Sequence, residues 1–391
     1  MKEVAACYGL VCALRCIVAV TITLCKATKS ALTTLIAGGG TMANGTGWKE
    51  EYLNEEGKWE NGSKDQEERF FDKISEDIKE VVRHFSKDNK RPMRGNHAKI
   101  LTGITEAQFR VSPDISADLS IGFLQPGKEY KAIVRFSNAG SEFSGSDSKP
   151  PDLRGVAIRV MTEHGELDFL MTNAEQHHAR DAREAMVAIM AGTRGDVVRD
   201  SIPVGGSIKD KILGAVGAGL YLLTHLGLET AMRIGGTLRK QMEREVKSLA
   251  TENYWSRAPI AIGKNPEDPE QSVAVKYKLE PDSNDQSGGA QNLGQELKDR
   301  ISRGEVKFLF RVQRYVDPQN TPIEDATVVW SLVSAFETIA ELIIPQNAEI
   351  NDDSVDSLAF SPWKTDLATF RPLGSMNRSR KKIYEASASL R

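Results

Sequence analysis

Residues 97 to 173 constrain this chain most. Ala107–Val111, Leu119–Leu124, Tyr130–Ser137, Gly155–Thr162 and Leu167–Met171 are short, partly alternating and rich in branched residues. Turn clusters such as Gln125-Pro126-Gly127 and His164-Gly165-Glu166 separate them. That is the pattern of strands joined by tight connections. Five such strands in succession predict an antiparallel meander that closes into a barrel, since closure leaves no unpaired edge.

The flanking sequence changes character. From Gln66 to Phe85, the residues Phe70, Ile74, Ile78, Val81, Val82 and Phe85 recur at helical spacing with charges between them. Lys90-Arg91-Pro92 ends that helix. Residues 178–250 read as helical. Ala182–Ala191 is a short helix, and the apolar, Gly-rich Ile212–Leu228 reads as part of a buried helix pair joined near Gly235-Gly236. His225, Glu229 and Arg233 argue against a membrane span there; an apolar wall beside a pocket is the other reading. Val273–Leu279 and Val306–Tyr315 are again strand-like, Trp330–Ile344 is ambiguous, and the tail from Pro372 reads as a terminal helix with a basic face. The expected fold class is α+β: a barrel with surrounding helices and an N-terminal arm. Its divisions are 1–41, 42–90 (arm and helix) and 91–391 (main domain).

Composition excludes several functions. The 391 residues carry a net charge of −3 with both signs interspersed, which argues against a nucleic-acid partner. All four cysteines (Cys7, Cys12, Cys16, Cys25) lie near the N-terminus, so the main body has no disulfide framework, thiolate zinc site or cysteine nucleophile. The same leader is apolar from Val4 to Leu24 but interrupted by Arg15. It reads either as a signal or anchor segment, the one route to membrane association or export, or as a mis-assigned start ahead of Met42 and a cytoplasmic protein. Both readings stay open.

Four separated segments carry chemistry. Arg94-Gly95-Asn96-His97-Ala98-Lys99 holds a histidine among bases. Val134-Arg135-Phe136-Ser137 closes a strand. Asp152-Leu153-Arg154-Gly155 is followed by Asp168 to Asn173 and by Arg180-Asp181. Arg380-Lys381-Lys382-Ile383-Tyr384 lies near the C-terminus. Taken singly each has a plain reading: Ser137 and Asn173 bond backbone at turns, Tyr384 is an ordinary amphipathic-helix residue, and Asp152 with Arg154 is a structural pair. His177-His178 lacks a completing Cys or carboxylate, and adjacent side chains point in different directions, so they read as non-metal residues.

In this order, the segments resemble the haem catalase superfamily, and in particular the small catalase-like haem proteins that include catalase-related peroxidases and coral allene oxide synthase. The resemblance covers roughly residues 90–391. It implies a barrel enclosing haem b in the ferric state. His97 would be the distal acid–base, Ser137 would orient its ring, and Asn173 would hydrogen-bond the peroxide. Arg94 and Arg135 would meet haem propionates, which suits their forked donors. Tyr384 would be the proximal iron ligand. Arg380, four residues before it, shares its helix face and would favour the phenolate. Phe360-Ser361-Pro362-Trp363 is a superficial rival for that ligand run, but Pro362 cannot ligate iron.

The sequence also departs from that family. Asn96 stands where an apolar residue is usual, His177-His178 replace an aromatic pair, and little chain follows Tyr384. The resemblance implies an oxidoreductase splitting the O–O bond of hydrogen peroxide or of organic hydroperoxides. A fatty-acid hydroperoxide isomerase and a non-enzymatic haem-binding protein are the alternatives. The implied small-molecule partner is a peroxide or lipid hydroperoxide, and a homo-oligomer is compatible with the family.

Overall fold

The computed structural model describes residues 64–86, 94, 97–139, 152–201, 207–268, 270–283, 288–289 and 292–390. All belong to the unit Asn44–Arg391. The leader, the arm up to residue 63, Asn96 and the alternative start lie outside the described residues.

The expected barrel is present, but it closes differently from the sequence expectation. Strands β1 (Lys99–Val111), β2 (Glu129–Asn138), β3 (Arg154–Thr162) and β4 (Gly165–Thr172) form an antiparallel meander. Closure needs four strands from the second half of the chain: β5 (Tyr254–Trp255), β7 (Ser272–Pro281), β8 (Val306–Arg314) and β9 (Phe336–Ile344). The ring runs β1-β2-β3-β4-β5-β7-β8-β9 and returns to β1 through the β1–β9 pairing. Short strands β6 (Ile260–Gly263) and β10 (Phe370–Pro372) extend from β7.

Two strand expectations change. The first strand is longer than Ala107–Val111, because Lys99–Ile104 also pair with β2. Leu119–Leu124 is not a strand. Its backbone forms successive tight turns, with Leu119 donating to Ser116 O and Leu124 to Ile121 O. Its branched and aromatic residues are buried by capping the barrel core, so burial without pairing explains the apolar signal. Trp330–Ile344 resolves into a 3-10 turn at Trp330–Leu332 followed by β9.

The barrel is filled with side chains. Phe109, Phe136, Phe169, Phe308 and Phe310 meet inside it with Tyr254 and Tyr277. A strand alternates its faces, so Val134 and Phe136 point into this core while Arg135 and Ser137 point out of it. The functional side of the wall is therefore its outer face, not its lumen.

Helices cover the wall. α1 (Lys64–Ser86), α2 (Ala182–Ser201) and α6 (Gly374–Ala388) share a small core of Phe71, Ile74, Ile78, Val82, Met186 and Ala386. This matches the spacing expected for α1, while α2 is twice the expected length. α4 (Leu293–Arg303) and α5 (Asp352–Ser357) are shorter; Asp352 of α5 accepts from Gly103 N in β1 at 2.7 Å. The expectation of a buried pair at 212–228 is overturned. α3 (Ser207–Met242) bends at Gly227 (φ 77°), not at Gly235-Gly236, and Val216, Leu220, Leu223 and Leu228 are exposed. Gly227 takes a left-handed conformation that other residues rarely adopt, which lets the chain turn there. Among the described residues no helix is long and apolar enough to cross a membrane.

α6 does not carry its bases on one solvated face as expected. Arg378 is buried between Glu67 of α1 and Glu324, donating Nε to Glu67 at 2.6 Å and Nη1 to Glu324 at 2.7 Å. Lys381 and Lys382 face outward, over Trp363 and toward Asp72 respectively. Trp363 donates its indole N–H to Asn377 O at 2.6 Å, so the Phe360–Trp363 run braces α6.

Candidate functional site

Strand register assembles the site. Ile100 pairs with Ser137, Ser137 with Gly155, Gly155 with Thr172, and Thr172 with Trp255. This single row crosses five strands at one end of the barrel. His97 lies just before β1, Asn173 directly after β4, and Arg257 just beyond β5.

His97 and Ser137 meet as expected. Ser137 Oγ lies 3.4 Å from His97 Nδ1. His97 adopts a left-handed backbone (φ 51°), uncommon for a residue with a side chain and characteristic of strained functional positions. Gly155 makes room for the ring: a Cβ there would overlap the imidazole and stand 3.0 Å from Ser137 Oγ. Nothing in the sequence around Gly155 signals this seat, because the ring it accommodates comes from a distant segment. Gly155→Ala is expected to displace His97 while leaving the barrel folded. A crystal structure of the variant, in which the His97 ring has moved out of hydrogen-bond range of Ser137, is the check.

The electrostatics around His97 are strongly positive. Burial holds its pKa down to about 3, with Arg135, Arg257, Arg380 and Arg94 adding to the effect. The imidazole is therefore neutral at pH 7 and able to accept a proton. Arg380, at the start of the Arg380–Tyr384 turn, is one of the cations whose charge reaches His97. Both Arg380 and Tyr384 also act electrostatically on the buried Tyr277 hydroxyl, which burial pushes up to about 12. Arg380 itself bonds Asn377 Oδ1 at 3.0 Å.

The other expected residues have protein partners. Arg135 donates to Asp356 Oδ1 through Nη2 at 2.9 Å, and Arg94 Nε lies 3.6 Å from the same carboxylate. Arg94 also donates to the carbonyls of Asp356 and Leu358. Both guanidiniums thus gather at Asp356. Asn173 is buried; its Oδ1 accepts from Arg154 N at 2.8 Å and its Nδ2 donates to Glu252 Oε2 at 3.0 Å. The backbone bond is the plain reading of Asn173, and one amide hydrogen is left over. Arg154 and Asp152 form the expected pair at 3.6 Å.

His177 and His178 differ from expectation. Their rings do not diverge but stack, with centroids 4.3 Å apart. Ala179 N donates to His177 Nδ1, and burial holds His177 well below the ordinary histidine range. Burial also holds His178 down to about 3.

These residues fit a haem. A neutral imidazole sits on a glycine seat, a tyrosine has a guanidinium on its own helix face, and the charges of Arg135, Arg257, Arg380 and Arg94 all reach the imidazole. Guanidiniums suit a group carrying two propionates. Ser137 and Arg135, which would hold or serve the group, lie on the outer face of a filled barrel.

A family model described as Catalase matches residues 74–196, which takes in the second half of α1, the meander and most of α2. Among curated proteins, catalase easC of Arthroderma benhamiae is 37% identical over 103 residues, 26% of this chain and 21% of that protein. The peroxisomal catalase of Candida boidinii is 38% identical over 99 residues, 25% of this chain and 19% of that protein. The matched stretch is thus about a fifth of those relatives' length. A fungal catalase structure superposes with a TM-score of 0.55 at 18% identity, covering 79% of this chain and 61% of that one. A bacterial catalase structure gives a TM-score of 0.53 at 18% identity, covering 94% and 68%. Residues 74–196 thus resemble catalases in sequence, and the fold of the chain is that of the catalase structures. The sequence match takes in the stretch from His97 to Asn173 and stops before the Arg380–Tyr384 turn. The fold likeness extends beyond it.

Asp356, Glu252 and Arg257 also belong to this site and were not foreseen from the sequence. They come from turns or short elements with no periodic signal, and only the paired geometry reveals them.

Proposed function

We propose that this chain is a haem-dependent oxidoreductase that cleaves the O–O bond of hydrogen peroxide or an organic hydroperoxide. The observation that carries this reading is a neutral His97 held against Ser137 on Gly155, within charge reach of Arg380. Tyr384 would hold the iron, with Arg380 one turn before it on the same helix, and Arg94 and Arg135 would meet the propionates. Ferric haem b, when bound, supplies the redox chemistry of the O–O bond.

The chain's own residues handle the proton. His97 Nε2 accepts the hydroperoxide proton and returns it to the departing oxygen. For this, Nδ1 must carry the ring's other proton and donate it to Ser137 Oγ, which fixes the tautomer. The remaining amide hydrogen of Asn173 is suited to hold a peroxide oxygen without adding charge.

The test is an optical spectrum of the protein expressed with haem, followed by turnover. A ferric spectrum of tyrosinate character is expected, and Tyr384→Phe should weaken or abolish it. Wild-type protein that takes up no haem would sink the proposal. With haem bound, oxygen release from hydrogen peroxide and consumption of organic hydroperoxide without oxygen release separate the two substrate classes.

A further inference from the structure

Helices α1, α2 and α3 frame a cavity of about 580 Å³ that is open to solvent on one side. None of the residues proposed to serve haem or peroxide lines it. Its size falls in the range of small-molecule sites.

The floor comes from two helical repeats. Phe70 and Ile74 lie one turn apart on α1, and Met186 and Met190 one turn apart on α2. Ile74, Met186 and Met190 are buried in the small core that α1 and α2 share, and Val187 extends the apolar lining. Methionine thioethers are flexible and adapt to irregular apolar guests. α3 supplies a wall. Tyr221 packs against the same core, and the His225 ring stacks on it with centroids 3.9 Å apart. His225 Nδ1 donates to Tyr221 O at 2.8 Å, which holds the stacked pair in place.

The mouth is charged. Arg69 and Lys73 lie on consecutive turns of α1 and Arg183 comes from α2, while Asp77 is the acidic residue of the lining. Three other carboxylates of α1 are engaged elsewhere: Glu67 by Arg378 at 2.6 Å, Asp72 by Lys382 at 2.7 Å and Glu76 by Lys79 at 2.7 Å. Among the described residues Arg69 donates to the Asp65 carbonyl at 3.2 Å, and neither it nor Lys73 is paired with a carboxylate.

An apolar pocket with cations at its mouth complements a molecule built the other way round, an apolar chain with one anionic end. Burial of the chain is favourable in proportion to its area. The head stays at the mouth, where it meets arginine and lysine without leaving water entirely. From Gln66 to Asp77 the lining face of α1 runs about 16 Å, enough for a chain of decyl length.

We propose that the cavity between α1, α2 and α3 binds an amphiphilic anion, with its chain over Met186 and Met190 and its head at Arg69 and Lys73. This site is independent of the peroxide chemistry and stands without it.

The experiment uses the full chain expressed with haem and measures binding alone, by calorimetry below micelle-forming concentrations. The probes are decanoate, decyl phosphate and decanol. At least one of the two anions should bind more tightly than decanol, and the tighter anion names the head. Arg69→Gln combined with Lys73→Gln, two exposed changes, should close that gap. The anion should lose roughly 2- to 30-fold in affinity, the range for two exposed charge contacts, and decanol should be unchanged. Val187→Trp fills the cavity and should abolish binding of all three probes; where that variant does not fold, the glutamine pair decides alone. Anions that bind no better than decanol, or an anion preference that survives the glutamine pair, would overturn the proposal. A second copy is the other possible occupant: a dimer in sedimentation that Val187→Trp splits, with no anion bound to the wild type, overturns the amphiphile in its favour.

Discussion

Replacing His97 by alanine should lower peroxide turnover by roughly 10²- to 10⁴-fold, the usual contribution of a positioned acid–base group, while haem stays bound. The ring's contacts support the second half of this expectation: His97 meets Ser137 and the space over Gly155, whereas the proposed iron ligand, Tyr384, lies on α6. Stopped-flow turnover and a Soret spectrum of the same sample are the measurement. Undiminished turnover would remove His97 from the mechanism. The pH profile carries a second expectation. Because burial and four arginines hold His97 down to about 3, the base remains neutral well into acid, and turnover should show no His97 limb near pH 6.5. The stability sign is the opposite. An unfolded histidine takes up its proton near about 6.5, so below that pH the unfolded chain binds more protons than the folded one. Stability contributed by neutral His97 and His178 is then lost as pH falls from that value toward 3.

Arg378→Ala should cost about 3–5 kcal/mol of stability, because it leaves buried carboxylates without their counter-charge. Arg378 ties α6 to α1 through both oxygens of Glu67 and ties it to Glu324, whose other oxygen accepts from Ser375 N. Burial already pushes the Glu324 carboxyl up, against the pull of Arg378. Without the arginine both acids would have to protonate or open the interface. Since α6 carries Arg380 and Tyr384, haem affinity should fall in parallel. Denaturant midpoints and haem titration test this together. Adding Glu67→Gln and Glu324→Gln should recover part of the stability, since it removes the stranded charges. A midpoint unchanged in Arg378→Ala would show that α6 is held by its apolar contacts with Phe71 and Ile74 instead.

Local alternation made the meander legible. Strands β2, β3 and β4 follow branched residues at a period of two, and α1 follows Phe70, Ile74, Ile78 and Val82 at helical spacing. The closing half was harder, because β5 is two residues long and is fixed only by its partners Thr172, Lys278 and Leu279. Leu119–Leu124 misled for the converse reason: its residues are apolar because they cap the core, and pairing is a different requirement. Ile212–Leu228 misled because apolar composition does not say which surface a helix meets. At the site, the His97–Ser137 contact was legible from motif order, whereas the Asn173 bonds to Arg154 N and Glu252 were not. Such partners are set by turns far apart in sequence, and a single residue type carries no sign of them.

The row from Ile100 to Trp255 also limits how this chain can change. Adding or deleting one residue within β2 or β3 would turn every following side chain to the opposite face. Ser137 and Arg135 would enter a core already filled by Phe136 and Val134, and Gly155 would no longer lie under His97. Length variation among relatives should therefore collect in the connections between these strands, and the His97, Ser137 and Gly155 set should be kept or lost as a block. A descendant with a slipped strand could not retain half of it.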